Sequence, residues 1–226
     1  MSRLSIAIDG PAGAGKSTVA RQVAGRLGLT YVDTGAMYRA ITWKALKEQV
    51  DLRDEQTVSR LARETEIRLT PGKDGMEVWV DGERVTRAIR TPEVTSHVSL
   101  IAGQQRVREV LVDKQREMAS RGGVVMDGRD IGTHVLPDAD VKVFLTASIE
   151  ERAKRRYREL VRRGYKVDWE ELKEEIRIRD EKDRNREHSP LRPAEDAVHL
   201  DTTGLSIEEV IRAILDLSRS KVGGVE

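Results

Sequence analysis

Residues 10–18, GPAGAGKST, form a glycine-rich loop that directly follows the short apolar run LSIAID. The loop satisfies the pattern G-x-x-x-x-G-K-[ST], in which glycines let successive backbone N–H groups point into one concavity. The amphipathic stretch that begins near Lys16 adds the positive end of a helix dipole. An apolar strand, a flexible loop and a helix in this order predict a binding site for the phosphates of a nucleoside triphosphate.

The pattern also assigns chemistry to single positions of the loop. Lys16 is expected to reach the β- and γ-phosphates, and the hydroxyl of Ser17 is expected to bind Mg²⁺. The residues predicted to hold the triphosphate are Gly10, Pro11, Ala12, Gly13, Ala14, Gly15, Lys16, Ser17 and Thr18. The alternative is a glycine-rich turn that matches by chance, which the flanking strand and helix disfavour. A nucleoside triphosphate and Mg²⁺ are therefore the expected ligands of the loop, with Lys16 catalytic.

Five short apolar runs predict the strands of one parallel sheet. They lie at 4–9, 30–32, 123–126, 141–145 and 198–201. A helical apolar pattern that ends at Gly28 separates the first two, and such strand–helix–strand units build parallel sheets. The predicted class is α/β, a P-loop NTPase-like three-layer fold with a five-stranded parallel core sheet.

Two segments leave this sheet. The runs at 67–70, 76–80 and 84–86 are joined by turns too short for parallel crossovers, so they predict an antiparallel meander. A charged helical pair joined around Gly164 forms the second segment, and segments over the carboxyl edge of a parallel sheet often serve as lids. The expected division is a core domain of 1–38, 91–150 and 188–226, a second lobe of 39–90 with an insertion at about 65–90, and a helical lid of 151–187.

Capping residues predict where several helices begin. Thr91 followed by proline is a hydroxyl cap with proline at the first helical position. Ser148 with Glu151, and Ser206 with Glu209, match capping boxes. A further charged helix is predicted over 105–121, with Val107, Val110 and Leu111 facing inward.

Composition and charge limit the classes of partner. The 226-residue chain carries 40 Lys and Arg against 39 Asp and Glu, a formal net charge of +1, which disfavours general nucleic-acid binding. The absence of cysteine excludes a disulfide framework, a thiolate nucleophile and a cysteine-ligated metal. No run approaches the roughly 18 apolar residues of a membrane span, and the N-terminal run is too short for a signal peptide. We expect a cytoplasmic monomer without nucleic-acid or membrane partners.

Three classes of P-loop protein differ in what they do with the bound triphosphate. A GTPase would need the guanine-specifying pattern N-K-x-D, which the sequence lacks. A motor ATPase usually shows an apolar strand ending in Asp-Glu, whereas VVMDGRD places glycine after Asp127. The remaining class transfers the γ-phosphoryl group to a small acceptor, which brings two anions together and needs several arginines.

Arginines occur in several short motifs that could supply this charge. The candidates are Arg39, Arg108, Arg129, Arg179, Arg184 and Arg186. For most of them a solvated helix face is the simpler interpretation. The motif DGRDIG differs, because it follows a predicted parallel strand at the edge where such folds bind ligands. An Asp-Arg-Asp trio flanked by glycines has little packing value, so Arg129 and Asp130 are predicted to be functional.

With these motifs the chain resembles the bacterial cytidylate kinases, a family of nucleoside monophosphate (NMP) kinases that phosphorylate CMP and dCMP. The resemblance covers nearly the whole chain in the family's order. It is carried by IDGPAGAGKST, DTGAMYRA, RTPEVTSHVS, RVRE, VVMDGRDIGT, VFLTAS, ERAKRR, RDEKDRNR and LDTTGLSIEEV. It implies that the antiparallel insertion belongs to an enlarged NMP-binding region and that CMP and dCMP are the substrates.

The resemblance implies which residues contact the cytosine base. Thr34 and Asp130 lie where the family senses the exocyclic amino group, and Ser99 and Arg108 lie where it contacts the O2 and N3 side. The family often has serine at the position of Thr34. Chemistry supports the role of Asp130 separately, because a carboxylate accepts from the amino group of cytosine and repels the carbonyl oxygen of uracil.

The resemblance also implies contacts to the phosphate and ribose of the acceptor. Arg39 and Arg129 are expected to bind the α-phosphate of CMP, with Tyr38 nearby. Arg179 is expected to contribute to phosphate binding from the lid, while Asp183 is expected to contact the ribose hydroxyls and Arg186 the acceptor. These contacts would place the acceptor phosphate for transfer.

The expected mechanism is direct in-line transfer from MgATP, without a covalent intermediate. Arg129 and Arg179 are expected to be catalytic with Lys16, since they neutralise charge on the moving phosphoryl group. Asp127 is also a candidate, either for ordering Mg²⁺-bound water, for supporting the arginines or for capping the strand end. The alternatives for the whole protein are a kinase for UMP, AMP or shikimate, and a non-catalytic nucleotide-binding regulator.

Overall fold

A computed structural model of the protein describes residues 4–72 and 75–222. The chain divides into two compact units. The first comprises Met1–Tyr31 and Gly122–Glu226, and the second comprises Val32–Arg121. These two units are defined by how compactly the chain folds. The expected division into core, NMP-binding region and lid is a functional one, and it stays a prediction.

The elements alternate between strands and helices along most of the chain. The strands are β1 (Ser5–Asp9), β2 (Thr30–Asp33), β3 (Ile67–Gly72), β4 (Gly75–Val80), β5 (Glu83–Arg84), β6 (Val124–Gly128), β7 (Val141–Thr146) and β8 (Val198–Asp201). The helices are α1 (Lys16–Leu27), α2 (Thr34–Lys47), α3 (Glu55–Glu64), α4 (Pro92–Gly103), α5 (Gln105–Ser120), α6 (Ile149–Arg162), α7 (Trp169–Arg184) and α8 (Ile207–Val222). Single short turns of helix occur at Ala88–Arg90 and Ile131–Val135.

The main sheet has the strand order β2-β6-β1-β7-β8. Strand β1 lies between β6 and β7 and pairs in parallel with both, and β7 pairs in parallel with β8. The side chains of Ile6, Ile8 and Leu145 are fully buried, as expected for strands covered on both faces. The α/β class and the five-stranded parallel sheet are thus confirmed.

Local sequence explains where the helices of the first unit begin and end. Helix α1 ends at Gly28, whose left-handed backbone (φ 66°) lets its N–H reach the carbonyl of Ala24. At the start of α8, Ser206 and Glu209 form the predicted reciprocal capping box. Helices α6 and α7 form the predicted hairpin, with Gly164 at a positive φ of 84° in its connection.

The second unit contains the predicted antiparallel meander, with β3 paired to β4 and β4 to β5. The third strand occupies Glu83–Arg84, not the predicted 84–86, because the N–H of Val78 is bound by the hydroxyl of Thr86 and not by a ladder carbonyl. Thr91 caps α4 as predicted, accepting from the N–H of Val94 at 3.3 Å. Helix α3 was not predicted, although Asp54 caps it through the N–H of Thr57.

Two smaller observations complete the fold. On α5, Val107 and Leu111 are buried as predicted, whereas Val110 is half-buried and Val112 takes the inner position. Within 4–72 and 75–222, no helix is long and apolar enough to cross a bilayer.

Candidate active site

The glycine-rich loop follows β1 and ends in the first turn of α1. Gly13 and Gly15 have positive φ angles of 78° and 93°, and Gly10 has a φ of 145°. A Cβ atom on Gly10 would lie 2.0 Å from the carbonyl oxygen of Leu145, so only glycine fits beside β7. The backbone therefore has the conformation by which such loops present N–H groups to phosphates, and its residues fit ATP.

Lys16 is the first residue of α1 and is only 6 % exposed. Its Nζ donates to the carbonyl oxygen of Pro11 at 2.7 Å, which holds the side chain back along the loop. Burial, followed by the positive charge of Arg129, lowers the pKa of Lys16 to about 7 against the opposing effect of Asp127. A buried ammonium with one carbonyl partner would gain strongly from a neighbouring triphosphate.

Asp127 lies in β6 beside the loop and is 3 % exposed. Its Oδ2 accepts from the hydroxyl of Ser17 at 2.9 Å, and its Oδ1 accepts from the hydroxyl of Tyr31 at 2.7 Å. A serine hydroxyl next to a carboxylate is the kind of oxygen donor set that Mg²⁺ binds, usually with waters and phosphate oxygens completing the shell. Of the three roles left open for Asp127, the contact with Ser17 favours the ordering of water bound to Mg²⁺.

Four charged residues lie together in the first unit. They are Arg129 of the DGRDIG motif, Arg179 and Asp183 of α7, and Arg186, which follows α7. Asp183 accepts from Nε of Arg129 at 2.8 Å and also from the guanidinium of Arg186. The side chains of all three residues are largely buried. Burial raises the pKa of Asp183, but the charges of Arg129, Arg186 and Arg179 outweigh it and leave the pKa at about 2. For Arg129, burial lowers the pKa and Asp183 raises it, with a net shift upward.

Arg179 completes this cluster with a buried donor. Its Nε is inaccessible to solvent and makes no hydrogen bond within the described parts of the chain. Burial and then the charge of Arg129 lower its pKa to about 10, with Asp183 acting in the opposite sense. An unsatisfied guanidinium donor near Lys16 and Arg129 suits an anionic ligand, because a phosphate oxygen would satisfy it.

Two arginines of α6 support the loop and were missed by sequence reasoning. Arg152 donates to the carbonyl of Ala12 at 3.2 Å and pairs with Asp180 of α7 at 2.7 Å, with both side chains at most 5 % exposed. Arg155 donates to the carbonyls of Ala14, at 3.3 Å, and Thr202, at 2.8 Å. The motif ERAKRR, which contains both arginines, was the available signal.

The predicted residues of the second unit form their own set of contacts. The guanidinium of Arg108 lies 5.6 Å from the ring centroid of Tyr38 and donates to the carbonyl of Ala102 at 3.1 Å. Arg39 donates to the hydroxyl of Thr95 at 2.9 Å.

The two remaining predicted residues of this unit lie on separate helices. Thr34 begins α2 and is 3 % exposed, and Ser99 is half-buried on α4. Asp130, in the first unit, is 4 % exposed and precedes the short helical turn at Ile131–Val135.

The buried carboxylate of Asp9 is a further residue that the sequence analysis did not assign. It ends β1 and accepts from the N–H groups of Ile131 and Gly132. The available signal was a carboxylate closing an otherwise apolar strand. Among the residues described, no group of three or more His, Cys, Asp or Glu side chains could hold a metal ion.

Comparison with known proteins gives one consistent family. A family model described as cytidylate kinase matches residues 6–220. The chain is 58% identical over 219 residues to the cytidylate kinase of Bacillus subtilis (strain 168), covering 97% of this chain and 98% of that one. It is 56% identical over 221 residues to the cytidylate kinase of Geobacillus kaustophilus (strain HTA426), covering 98% and 99%.

A solved structure matches the fold over a similar extent. An uncharacterized protein from Eubacterium ventriosum ATCC 27560 aligns with a TM-score of 0.51 and 12% sequence identity, over 96% of this chain and 99% of that one. At this level of identity the likeness supports the fold alone.

Proposed function

The chain belongs to the cytidylate kinase family, and from that premise we propose that it transfers the γ-phosphoryl group of ATP to CMP or dCMP. The products are ADP and CDP or dCDP. The observation that carries the proposal is the charge arrangement of the first unit, where Lys16 and Ser17 of the phosphate loop share a site with Arg129 and Arg179. Such a group of cations suits two phosphates that must approach each other.

The donor is held by the loop at 10–18. Its backbone N–H groups and the N-terminus of α1 bind the β- and γ-phosphates, and Lys16 exchanges the carbonyl of Pro11 for phosphate oxygens. Ser17, whose hydroxyl donates to Asp127, would supply a ligand for Mg²⁺, and Asp127 would accept a hydrogen bond from water bound to the metal. Bound Mg²⁺ neutralises charge on the β- and γ-phosphates.

The acceptor is recognised by its base, ribose and phosphate. We assign the base to Thr34, Ser99, Arg108 and Asp130, following the family motifs. The remaining contacts are assigned to Tyr38, Arg39, Arg129, Arg179, Asp183 and Arg186. Asp183 already bonds Arg129 and Arg186, so it orients both guanidinium groups while its remaining lone pairs accept from the ribose.

Chemistry at the γ-phosphorus requires no protein nucleophile. An oxygen of the CMP phosphate attacks in line as the bond to the bridging oxygen of ADP breaks, and that oxygen keeps the electron pair. The acceptor phosphate is already ionised, so no strong base is needed. Arg129, Arg179 and Lys16 stabilise the charge that spreads over the moving group. Excluding water from the site directs the phosphoryl group to CMP instead of hydrolysis.

A panel of acceptors with γ-labelled ATP tests this proposal. CMP and dCMP should accept label far faster than UMP, AMP or shikimate, and Asp130→Ala should reduce the rate with CMP much more than the rate with UMP. Transfer mainly to another acceptor would replace the proposed substrate. ATP binding without any acceptor-dependent turnover would indicate a nucleotide-binding regulator.

A further inference from the structure

The carboxylate of Asp9 is buried beside the phosphate loop, yet the proposed reaction uses it for no contact to substrate. It is 4 % exposed and ends β1, the central strand of the sheet. In the register of the sheet it lies opposite Gly128 of β6 and Phe144 of β7. Asp9 is therefore next to the residue that immediately precedes Arg129 and Asp130.

Both oxygens of Asp9 accept from backbone donors. Oδ1 accepts from the N–H of Ile131 at 2.9 Å, and Oδ2 accepts from the N–H of Gly132 at 2.8 Å. These two N–H groups open the helical turn at Ile131–Val135, where the first donors have no partner inside the turn. The carboxylate thus caps the turn with two charge-assisted bonds.

The turn itself is closed around Asp130. Its carbonyl accepts from the N–H groups of His134, at 2.9 Å, and Val135, at 3.1 Å. The backbone before the Arg129–Asp130 pair is fixed at Gly128 by pairing with β1, and the backbone after it is fixed at Ile131 and Gly132 by Asp9. Only two residues separate these fixed points, so one side chain restrains the backbone that carries both functional groups.

We propose that Asp9 is a positioning residue for base recognition: its carboxylate fixes the Arg129–Asp130 backbone so that Asp130 meets the amino group of the acceptor base. The inference rests on the proposed function, because it presupposes that Asp130 reads cytosine. A carboxylate suits this task since it offers two acceptors to two parallel donors. Asparagine offers one acceptor and turns an N–H₂ group toward a backbone donor, leaving at least one buried N–H without a partner.

The chain offers a matched control at the other end of β1. Asp140 accepts from the backbone N–H of Ser5 at 2.7 Å and from its hydroxyl at 2.7 Å. It is also a carboxylate that binds backbone of the same unit, but its contact is to Ser5, at the end of β1 opposite Asp9. Asp140→Asn therefore makes the same substitution at an exposed carboxylate of this unit, away from the backbone N–H groups of Ile131 and Gly132.

The experiment compares kcat/KM for CMP and for UMP, at saturating ATP, in wild type, Asp9→Asn, Asp9→Ser and Asp140→Asn. Displacing a recognition group by a fraction of an ångström or more lowers specificity, so the CMP-over-UMP ratio should fall on the order of 10- to 100-fold in both Asp9 variants. Asp140→Asn should keep the wild-type ratio. In an Asp130→Ala background, Asp9→Asn should change the ratio no further.

Each outcome decides the inference. A folded Asp9 variant that keeps the wild-type CMP-over-UMP ratio overturns the inference, even when the overall activity of the variant is lower. A purely structural role would reduce kcat/KM for both substrates alike. If neither Asp9 variant folds, Asp9 is a folding element and the inference is overturned as well. A wild type that does not prefer CMP to UMP instead contradicts the proposed function, which separates the two failures.

Discussion

The hydroxyl of Ser17 donates to Oδ2 of Asp127 at 2.9 Å, while the hydroxyl of Tyr31 donates to Oδ1 of the same carboxylate at 2.7 Å. The predicted Mg²⁺ ligand and a buried anion therefore share one hydrogen bond at the carboxyl edge of the sheet. If this carboxylate orders water on the metal, Asp127→Asn should raise the Mg²⁺ concentration needed for half-maximal turnover on the order of 10- to 100-fold. A magnesium titration of initial rates measures this.

Tyr31→Phe is the control for Asp127→Asn. It removes the second donor to the same carboxylate and leaves the Ser17 contact in place. Its magnesium requirement should stay close to that of wild type. An unchanged magnesium requirement in Asp127→Asn would contradict a role in ordering water on the metal and would leave support of the arginines or capping of the strand end.

Lys16 makes the binding of ATP dependent on protons. Its pKa is about 7 in the free protein, so at about pH 8 roughly one tenth of the molecules carry the charge. A bound triphosphate favours the ammonium, so binding should take up close to one proton at that pH. Calorimetry in buffers of different ionisation enthalpy measures the uptake. Lys16→Met should bind ATP more weakly and take up far less, and equal uptake in both proteins would contradict the assigned role.

The lowered pKa of Lys16 also makes the free energy of unfolding depend on pH. Because the unfolded lysine titrates near 10.5 and the folded one near 7, the unfolded chain binds more protons between these values. The contribution of Lys16 to the free energy of unfolding therefore rises as the pH increases from about 7 toward 10. In the nucleotide-free protein, a charged Lys16 therefore lowers the free energy of unfolding.

The contribution of Asp183 to the free energy of unfolding changes at acid pH. Its pKa is about 2 in the folded protein against an ordinary 3.8, so its stabilisation is complete above about pH 5 and is lost as the pH falls toward 2. The shift corresponds to about 2 kcal/mol. Urea unfolding of wild type and Asp183→Asn between pH 5 and pH 2.5 should show a steeper acid loss in wild type. Parallel curves would mean that Arg129 and Arg186 do not hold the carboxylate ionised.

The buried pair of Arg152 and Asp180 joins both helices of the hairpin to the phosphate loop. Asp180→Ala leaves the guanidinium buried without its counter-charge, which should lower the free energy of unfolding by about 3–5 kcal/mol. The exposed pair of Arg26 and Glu208, at 2.7 Å, supplies the control. Glu208→Ala should leave the unfolding midpoint nearly unchanged, because solvent screens exposed pairs. Equal effects of the two substitutions would contradict the structural role of Asp180.

Much of the fold could be predicted because its signals are local. The loop at 10–18, the αL glycine at Gly28 and the capping box of Ser206 and Glu209 each depend on a few neighbouring residues. The antiparallel meander was predictable for the same reason, since short turns leave no room for crossovers. Helix α3 was missed although Val58, Leu61 and Ala62 follow helical spacing after Asp54, a signal that could have been used.

The parts of the site that could not be predicted depend on partners far apart in sequence. Asp9 meets Ile131 across 122 residues, and Arg152 meets Ala12 across 140. A charged residue on a helix is usually solvated, so nothing in the neighbourhood of Arg152 predicts that it is buried. Tyr31 likewise becomes a partner of Asp127 only when β2 and β6 lie in one sheet.

The central claim is that ATP is consumed because CMP accepts its γ-phosphoryl group. Steady-state ADP formation at saturating MgATP, measured with and without CMP, tests it most directly, with Lys16→Ala as the inactive reference. We predict that CMP raises ADP formation by orders of magnitude and that one CDP appears for each ADP. ADP formation that is equally fast without CMP, or that yields no CDP, would contradict the account.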